Sequence, residues 1–301
     1  MYAFEDIEAV AAKGRKGLWG PLARSVTVVE NSRPWEVTVP RAAVPCHIVG
    51  VTGPPGAGKS TLTGRLIESY ADAGQRVAVL AIDPSSPLTG GAVLGDRLRM
   101  ETHLSGRPEV FVRSLASRGS HGAVAAATRN IARLLELSGL FDVVLIETVG
   151  AGQTEVAIVD VADTVLLVTV PGLGDAVQSI KAGLMEVADA FVVNMADRPG
   201  ARETVRHLRL AAGRASAVYE TVATEGEGVE KLRSGLADRW QRLLAQDRLQ
   251  QLRQQKWGSD AALTAEAWVA EVAAALDLEP QDSMHHSVNR ILKEAAGRWA
   301  Q

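Results

Sequence analysis

The chain has 301 residues, with 32 basic and 35 acidic side chains and a net formal charge of −3. This balance gives no reason to expect nucleic acid or an anionic membrane as a partner. The single cysteine, Cys46, excludes an internal disulfide framework and suits a reducing compartment. The start MYAFEDIEAV is acidic, unlike a signal peptide, and no apolar run approaches the ~20 residues that span a bilayer. We therefore expect a cytoplasmic protein.

The order of apolar runs along the chain predicts the fold. Residues 2–43 have a helical, partly amphipathic pattern that Pro34 and Pro40 interrupt. Strands that are apolar on both faces belong to a parallel sheet covered by helices, and helical patterns at 59–73 and 123–139 separate several of these runs. The chain is therefore expected to form a doubly wound, mainly parallel α/β sheet. The five runs, rich in Val and Ile, are residues 46–52, 76–82, 142–147, 164–170 and 190–194.

The change of pattern along the chain also predicts three parts. The α/β pattern occupies residues 44–235, and a helical extension precedes it at residues 1–43. From about residue 229 the pattern stays helical, with Trp268 and Val272 at helical spacing. We expect residues 236–301 to form a C-terminal helical extension.

The segment GPPGAGKST follows the first predicted strand and opens a predicted helix, the context required of a phosphate-binding P-loop. Its glycines let backbone N–H groups converge on phosphate oxygens, and the helix N-terminus adds its positive dipole end. The lysine is predicted to reach the β and γ phosphates, and the serine hydroxyl to bind Mg²⁺. The alternative is a glycine-rich turn that binds nothing. The loop residues are Gly53, Pro54, Pro55, Gly56, Ala57, Gly58, Lys59, Ser60 and Thr61.

The segment ETVGAGQTE supplies candidates for hydrolysis. Glu147 ends a predicted buried strand, where the metal-side acid of a P-loop enzyme belongs. Gly150 is predicted to donate its N–H to the γ-phosphate. Gln153 is the candidate for orienting water, although in Ras-like switches the glutamine directly follows the glycine, a position that Ala151 occupies here.

The segment DPSSPLTGGAVLGDRLRM carries two further acids, Asp83 at a strand end and Asp96 thirteen residues later. Its Pro, Ser and Gly content is typical of a loop that closes on the γ-phosphate and Mg²⁺ and relaxes after hydrolysis. In the alternative interpretation Asp83 forms a turn before Pro84 and Asp96 is a solvated charge.

The segment VVNMAD has the Asn-x-x-Asp spacing of guanine-reading sites. Asp197 is predicted to accept from guanine N1–H and the exocyclic amine, a donor pair that adenine lacks. Met195 stands where such sites carry Lys, and it keeps a flexible apolar stem for packing along the base. Downstream, Ala223 and Thr224 offer backbone donors for guanine O6. The alternative is a strand-end turn formed by Asn194 and Asp197.

Together, GPPGAGKST, AIDPSSPLTGGAVLGDRLRM, FDVVLIETVGAGQTE, IKAGLMEVAD and VVNMAD resemble the MeaB/ArgK/MMAA family of GTPases. Members of that family accompany adenosylcobalamin-dependent acyl-CoA mutases such as methylmalonyl-CoA mutase. The resemblance runs from about residue 20 to about 235 and implies a P-loop GTPase domain of the SIMIBI class. It also implies homodimers formed through the helical extensions, and control of cobalamin loading or repair in the mutase.

Residue by residue, the resemblance implies GTP or GDP on the P-loop, with base recognition by Asn194 and Asp197. It implies Mg²⁺ ligands at Ser60, Asp83, Asp96 and Glu147. The chain departs from the family where Met195 replaces Lys, where Val222 replaces the Ser of a Ser-Ala turn, and in SLASRGSHG (114–122), where the family loop is richer in proline. No D-x-H-x-x-G motif is present, so no cobalamin ligand is named.

Two other functions fit a P-loop. A nickel-inserting GTPase needs Cys and His in close spacing, and here Cys46-His47 opens a predicted buried strand while His285-His286 lies near the C-terminus. A kinase needs an acceptor pocket with a base, and the sequence offers only the acids already described.

Overall fold

The computed structural model describes residues 19–37, 39–84, 107, 109–117, 121–148, 154–172, 182–212, 217–278 and 283–299. The strands are β1 His47–Thr52, β2 Val77–Pro84, β3 Val110–Ser117, β4 Val143–Thr148, β5 Thr164–Thr169, β6 Ala190–Asn194 and β7 Ala217–Thr221. The helices are α1 Trp19–Asn31, α2 Lys59–Asp72, α3 His121–Leu137, α4 Thr154–Val161, α5 Ala182–Val187, α6 Ala201–Ala211, α7 Val229–Ala245, α8 Arg248–Ala275 and α9 Met284–Trp299.

The strands form one sheet in the order β3-β2-β4-β1-β5-β6-β7, and every neighbouring pair is parallel. The predicted doubly wound parallel fold is therefore confirmed. The five predicted strands are β1, β2, β4, β5 and β6, each within two residues of its expected bounds. The sequence missed β3 and β7, the two edge strands. Both mix polar with apolar residues, as Arg113 and Ser114 do in β3, because an edge strand is only partly covered.

Helices cover both faces of the sheet, as the apolar strands require. On one face, α1, α3 and α4 pack around Leu22, Ile131 and Ile158. On the other, α2 and α7 pack Leu66 and Leu236 against the central strands. The helices expected at 59–73 and 123–139 each bury an apolar face against the sheet, formed by Leu62, Leu66, Tyr70, Val124, Ile131, Leu134 and Leu135.

The helical segments differ in part from the expected bounds. In the N-terminal region α1 ends at Asn31, and the chain then makes a short 3-10 turn at Pro34–Glu36; residues 1–18 lie outside the described residues. The boundary predicted between residues 235 and 236 falls inside α7, whose Leu232 and Leu236 are both buried, so the C-terminal helices continue directly from the α/β core. Among the described helices none is long and apolar enough to cross a membrane.

A network of buried charges closes the amino-terminal edge of the sheet. Arg253 of α8 donates to both carboxylate oxygens of Asp163, at 2.8 and 2.7 Å, and to both of Glu136, at 3.0 and 3.2 Å. The two acids in turn accept the Ile48 N–H (3.1 Å) and the Cys46 N–H (3.0 Å) at the start of β1. We call Glu136, Asp163 and Arg253 the amino-edge network, and it attaches α8 to the central strand.

Candidate nucleotide-binding site

The predicted P-loop lies at the opposite, carboxyl edge of the sheet, between β1 and α2. Gly53 has a φ of 142°, and a Cβ there would lie 2.1 Å from the Val168 carbonyl oxygen of β5. Gly58 has a φ of 79°, and a Cβ there would lie 2.4 Å from Asn194 Nδ2 at the end of β6. Only glycine fits either position, so the loop backbone lies close against the ends of the two neighbouring strands.

The predicted phosphate-binding lysine folds back over the loop. Lys59 is 6% exposed, and its Nζ donates to the carbonyl oxygens of Gly53 (2.8 Å) and Pro54 (3.1 Å). The ammonium therefore lies beside the backbone that would surround the phosphates. A phosphate group offers it a charged acceptor in place of neutral carbonyls, which is the stronger kind of bond.

Two of the four predicted magnesium ligands meet directly. Ser60 Oγ, in the first turn of α2, donates to Glu147 Oε1 at 2.6 Å. Glu147 is brought there because β4 lies beside β1, with Glu147 paired in register to Val51. A hydroxyl and a carboxylate, side by side next to a phosphate loop, are the oxygen donors that Mg²⁺ takes, so the residues present fit the ion. The Asp83 side chain, Asp96, Gly150 and Gln153 lie outside the described residues.

Asn194 ends β6, at the strand end where its motif was predicted. Its side chain is buried: Nδ2 donates to the Ala57 carbonyl oxygen at 2.9 Å, and Oδ1 accepts from Thr221 Oγ1 and the Ala223 N–H, both at 3.1 Å. Asn194 thus joins the P-loop to residues 222–224, which we call the base loop. These bonds give Asn194 a positioning role within the protein, and its predicted contact with the base stays a prediction.

The two predicted O6 donors differ in their protein partners. The Ala223 N–H donates to Asn194 Oδ1, and the Val222 N–H before it donates to the Glu227 carbonyl oxygen at 3.1 Å. The bonds of the Ala223 and Thr224 N–H groups to guanine O6 both stay predictions, and the Thr224 N–H is the one that does not share the bond to Asn194.

Met195 and Asp197 lie in a tight turn after β6. Met195 has a φ of 56°, a left-handed conformation that is unfavourable for a residue with a side chain. Such backbone strain is found most often at functional sites. Its Cε lies 3.7 Å from the position a Cβ would take on Gly58, so the stem reaches the P-loop. Asp197 follows, exposed at the same edge, and its contact with the base stays a prediction.

The sequence missed one residue of the site. Arg65, in the second turn of α2, donates from Nε to the Ala223 carbonyl oxygen (3.0 Å) and from a terminal nitrogen to the Thr224 carbonyl oxygen (2.6 Å). No motif includes this position. An arginine six residues after the P-loop lysine reads as an ordinary charge on a helix, and only the tertiary fold brings it to the base loop.

Cys46 and His47, the pair considered for nickel, lie at the amino edge, away from the P-loop. Burial raises the pKa of the Cys46 thiol well above its usual value. Burial also lowers the pKa of His47 to about 4, and its ring stacks on Trp240 at 4.8 Å while Nε2 lies 2.8 Å from Thr164 Oγ1. Within the part of the chain that the structure describes, no three His, Cys, Asp or Glu side chains are grouped as a metal site.

Comparison with known proteins agrees with this geometry. The family model for methylmalonyl Co-A mutase-associated GTPase MeaB matches residues 22–277. A protein of Pyrococcus horikoshii that carries the name of a GTPase is 48% identical over 242 residues, which cover 76% of each chain. The mouse mitochondrial methylmalonic aciduria type A homolog is 37% identical over 217 residues, covering 68% of this chain and 52% of that protein. A solved structure titled LAO/AO transport system kinase superposes with a TM-score of 0.64 at 25% identity, covering 97% of this chain and 98% of that one. The resemblance inferred from the motifs is confirmed, and the chain belongs to the MeaB family of P-loop GTPases.

Proposed function

We propose that this protein is a GTP-hydrolysing chaperone of an adenosylcobalamin-dependent acyl-CoA mutase of the methylmalonyl-CoA mutase type. In this role it gates adenosylcobalamin loading and protects or reactivates the mutase. The observation that carries the GTPase part is the 2.6 Å contact between Ser60 and Glu147 beside the P-loop. The mutase part is supported by the family, whose name refers to methylmalonyl Co-A mutase.

In this proposal the P-loop amides and Lys59 bind the phosphates of GTP. Ser60 and Glu147, together with Asp83 and Asp96, would hold Mg²⁺, which when bound neutralises charge on the phosphate oxygens. The Gly150 N–H senses the γ-phosphate and Gln153 orients the attacking water.

Guanine selectivity is proposed to come from the two loops after β6 and β7. Asp197 accepts from N1–H and the exocyclic amine, and the Thr224 N–H donates to O6. The stem of Met195 packs along the base.

We propose that hydrolysis by the isolated protein is slow, because no sequence motif fixes an arginine beside the phosphates. Among the arginines near the predicted loops, Arg113 lies in β3 and bonds Glu30 (2.7 Å) and Thr27 (3.0 Å) of α1, so it holds α1 to the sheet. Arg97, Arg99 and Arg118 lie outside the described residues. A missing arginine finger costs about 10³–10⁵ in turnover. A mutase that orders the switch loops would restore part of that factor.

The proposal also includes a cytoplasmic homodimer. Met284, Val288 and Leu292 recur every four residues along α9 and are 79%, 42% and 52% exposed. An apolar stripe of this spacing on a helix favours packing against another helix. Leu292→Glu is expected to convert a dimer to a monomer in sedimentation velocity, with Lys293→Glu as the neighbouring control.

The two other functions receive less support from the geometry. The nickel alternative would need Cys46 or His47 to be accessible, and both are buried in the amino edge. The kinase alternative predicts labelled phosphate on an acceptor, whereas the GTPase proposal predicts inorganic phosphate.

The test is single-turnover hydrolysis of γ-labelled GTP with and without a purified adenosylcobalamin-dependent mutase encoded near this gene. We expect acceleration of tenfold or more by the mutase. Because coupling between binding events is reciprocal, GTP and GDP should also change the affinity of the mutase for this protein. A fast rate that the mutase leaves unchanged, together with equal affinity in both nucleotide states, would contradict the chaperone role.

A further inference from the structure

We propose that Arg65 is a positioning residue for guanine recognition, acting by fixing the peptide that presents its N–H to guanine O6. The inference deepens the guanine site proposed above and rests on it. It concerns binding by the isolated protein and does not depend on the mutase.

The first step concerns the geometry of the arginine fork. Arg65 bonds the carbonyl oxygens of two successive residues, Ala223 at 3.0 Å and Thr224 at 2.6 Å. A guanidinium is planar, and its donors point in fixed directions. Two bonds to successive carbonyls therefore set the orientation of both peptide planes, which a single point charge such as an ammonium does not do.

The second step connects the carbonyl to the predicted donor. The Ala223 carbonyl and the Thr224 N–H belong to the same peptide unit, and the described chain has no cis peptide bond. In a planar trans peptide the C=O and N–H point in opposite directions. When Arg65 draws the Ala223 oxygen toward α2, it turns the Thr224 N–H away from α2. Arg65 thus sets the direction of the predicted O6 donor together with the Gly226 N–H, which donates to the same Ala223 oxygen at the longer distance of 3.4 Å.

The third step shows that the base loop is oriented relative to the P-loop. The preceding peptide is held by Asn194, which accepts the Ala223 N–H and also bonds the Ala57 carbonyl oxygen of the P-loop. Arg65 belongs to the helix that the P-loop opens, and its third nitrogen pairs with Glu68 at 3.0 Å. One support of the base loop, Asn194, is therefore bonded to the P-loop, and the other, Arg65, belongs to the helix that the P-loop opens. A nucleotide held by its phosphates would meet base donors already at a fixed position.

A positioning role is distinguishable from a purely structural one by ligand chemistry. 6-Thioguanosine diphosphate keeps N1–H and the exocyclic amine but replaces O6 with sulfur, a weaker acceptor. If Arg65 acts on the O6 donor, its removal lowers the affinity for GDP and leaves the affinity for the thio analogue almost unchanged. If Arg65 only stabilises the fold, both ligands weaken together.

The experiment is calorimetric titration of wild type, Arg65→Ala and Arg65→Lys with GDP, 6-thioguanosine diphosphate and ADP. We expect wild type to bind GDP about fivefold tighter than the thio analogue, the size of one net hydrogen bond. In Arg65→Ala this ratio should fall to near one, and Arg65→Lys should lie between the two. Arg233→Ala is the matched control, since Arg233 pairs with Glu230 of α7 and should keep the wild-type ratio.

Two results overturn the inference. The first is a wild-type ratio of the two affinities near one. The second is an unchanged ratio in a folded Arg65→Ala protein, whether both affinities stay the same or fall equally. Should Arg65→Ala fail to fold, Arg65→Lys, which keeps the charge beside Glu68, decides by the same ratio. If wild type does not distinguish GDP from ADP, the guanine site itself is wrong; if it does and Arg65 has no effect, the positioning role alone is wrong.

Discussion

The polar groups at the two edges of the sheet have different kinds of partner. At the amino edge, side chains close the strand ends: Asp163 and Glu136, 2% and 6% exposed, accept backbone N–H groups and share the guanidinium of Arg253. At the carboxyl edge, glycines let the P-loop backbone pack against the strand ends, Lys59 donates to loop carbonyl oxygens, and Ser60 donates to Glu147.

The polar groups at the amino ends of the strands stabilise the fold, whereas those at the carboxyl ends are placed for ligand binding. Buried charges are costly unless they are paired and hydrogen-bonded, and the amino edge meets that condition within the protein. At the carboxyl edge the same kinds of group remain where a phosphate and a metal ion can replace their present partners. Substitutions at the amino edge should therefore lower the free energy of unfolding, whereas substitutions at the carboxyl edge should lower GTP turnover.

The largest expected effect belongs to the amino edge. Arg253→Met leaves Glu136 and Asp163 buried without their cation, which should lower the free energy of unfolding by about 3–5 kcal/mol. Urea denaturation followed by circular dichroism measures it. Arg298→Met, which removes an exposed pair with Glu294, is the control and should change stability by less than about 1 kcal/mol. A similar loss of unfolding free energy in Arg253→Met and Arg298→Met would contradict the claim that the amino-edge network stabilises the fold more than a surface ion pair does.

The next effect belongs to the carboxyl edge. Lys59→Ala should lower GTP turnover about 10²–10³-fold, because the ammonium neutralises phosphate charge, while the loop backbone keeps the fold. Phosphate release at saturating GTP measures turnover, and the thermal midpoint checks folding. Lys293→Ala, on exposed α9, is the control. Unchanged turnover in folded Lys59→Ala protein would show that the P-loop is not the working site.

Acid should weaken the amino edge through His47. Its pKa falls from 6.5 to about 4 on folding, mainly because of burial, so between these values the unfolded chain binds a proton that the folded one does not. The contribution of His47 to the free energy of unfolding is therefore fully present above pH 6.5. It is lost progressively as the pH falls toward 4, by up to about 3 kcal/mol. His47→Phe keeps a ring against Trp240 and should lack this part of the acid loss in urea unfolding at pH 7.5 and 5.

Other charged groups face His47 and are present in both proteins of that comparison. Asp163, Arg239 and Arg253 act on His47, and burial raises the pKa of Glu136, which favours the folded state as the pH falls. Because these groups are common to wild type and His47→Phe, the difference between the two pH profiles isolates His47. Parallel profiles would contradict the assignment.

The smallest effect concerns Met195. Met195→Lys keeps the stem over Gly58 and adds a cation at the carboxyl edge, so GDP affinity should rise about fivefold, the size of one hydrogen bond. Met195→Ala, which removes the stem, should lower it. Calorimetry with GDP measures both affinities. A lower GDP affinity in Met195→Lys than in wild type would contradict this expectation and indicate that the site suits an uncharged residue.

Sequence alone predicted the parts of this account that depend on local pattern. Strands apolar on both faces could be found directly, whereas the half-covered edge strands β3 and β7 could not. Ser60 and Glu147 could be paired in advance because parallel strands present their carboxyl ends at one edge.

The contacts of Arg65, Arg253 and the Asn194 amide could not be predicted. A charged residue on a helix gives the same signal whether it faces water or a buried carbonyl, and only the packing of α2, α7 and α8 decides between them. The aspartate that directly precedes β4, β5 and β6 is a signal that was present in the sequence. Asp142, Asp163 and Asp189 each accept the N–H of a residue at the start of the neighbouring strand, at 2.8, 3.1 and 2.9 Å.

The central claim is that the carboxyl edge is a guanine-nucleotide site, and the choice of base tests it most directly. Calorimetry should show GDP and GTP binding with micromolar dissociation constants, with ADP and ATP weaker by up to about 10⁴, because a site built around paired hydrogen bonds rejects a base that lacks the donors. Asp197→Asn should shift preference toward xanthine nucleotides, whose 2-oxo group accepts from an amide. Equal binding of GDP and ADP by wild type would contradict the claim.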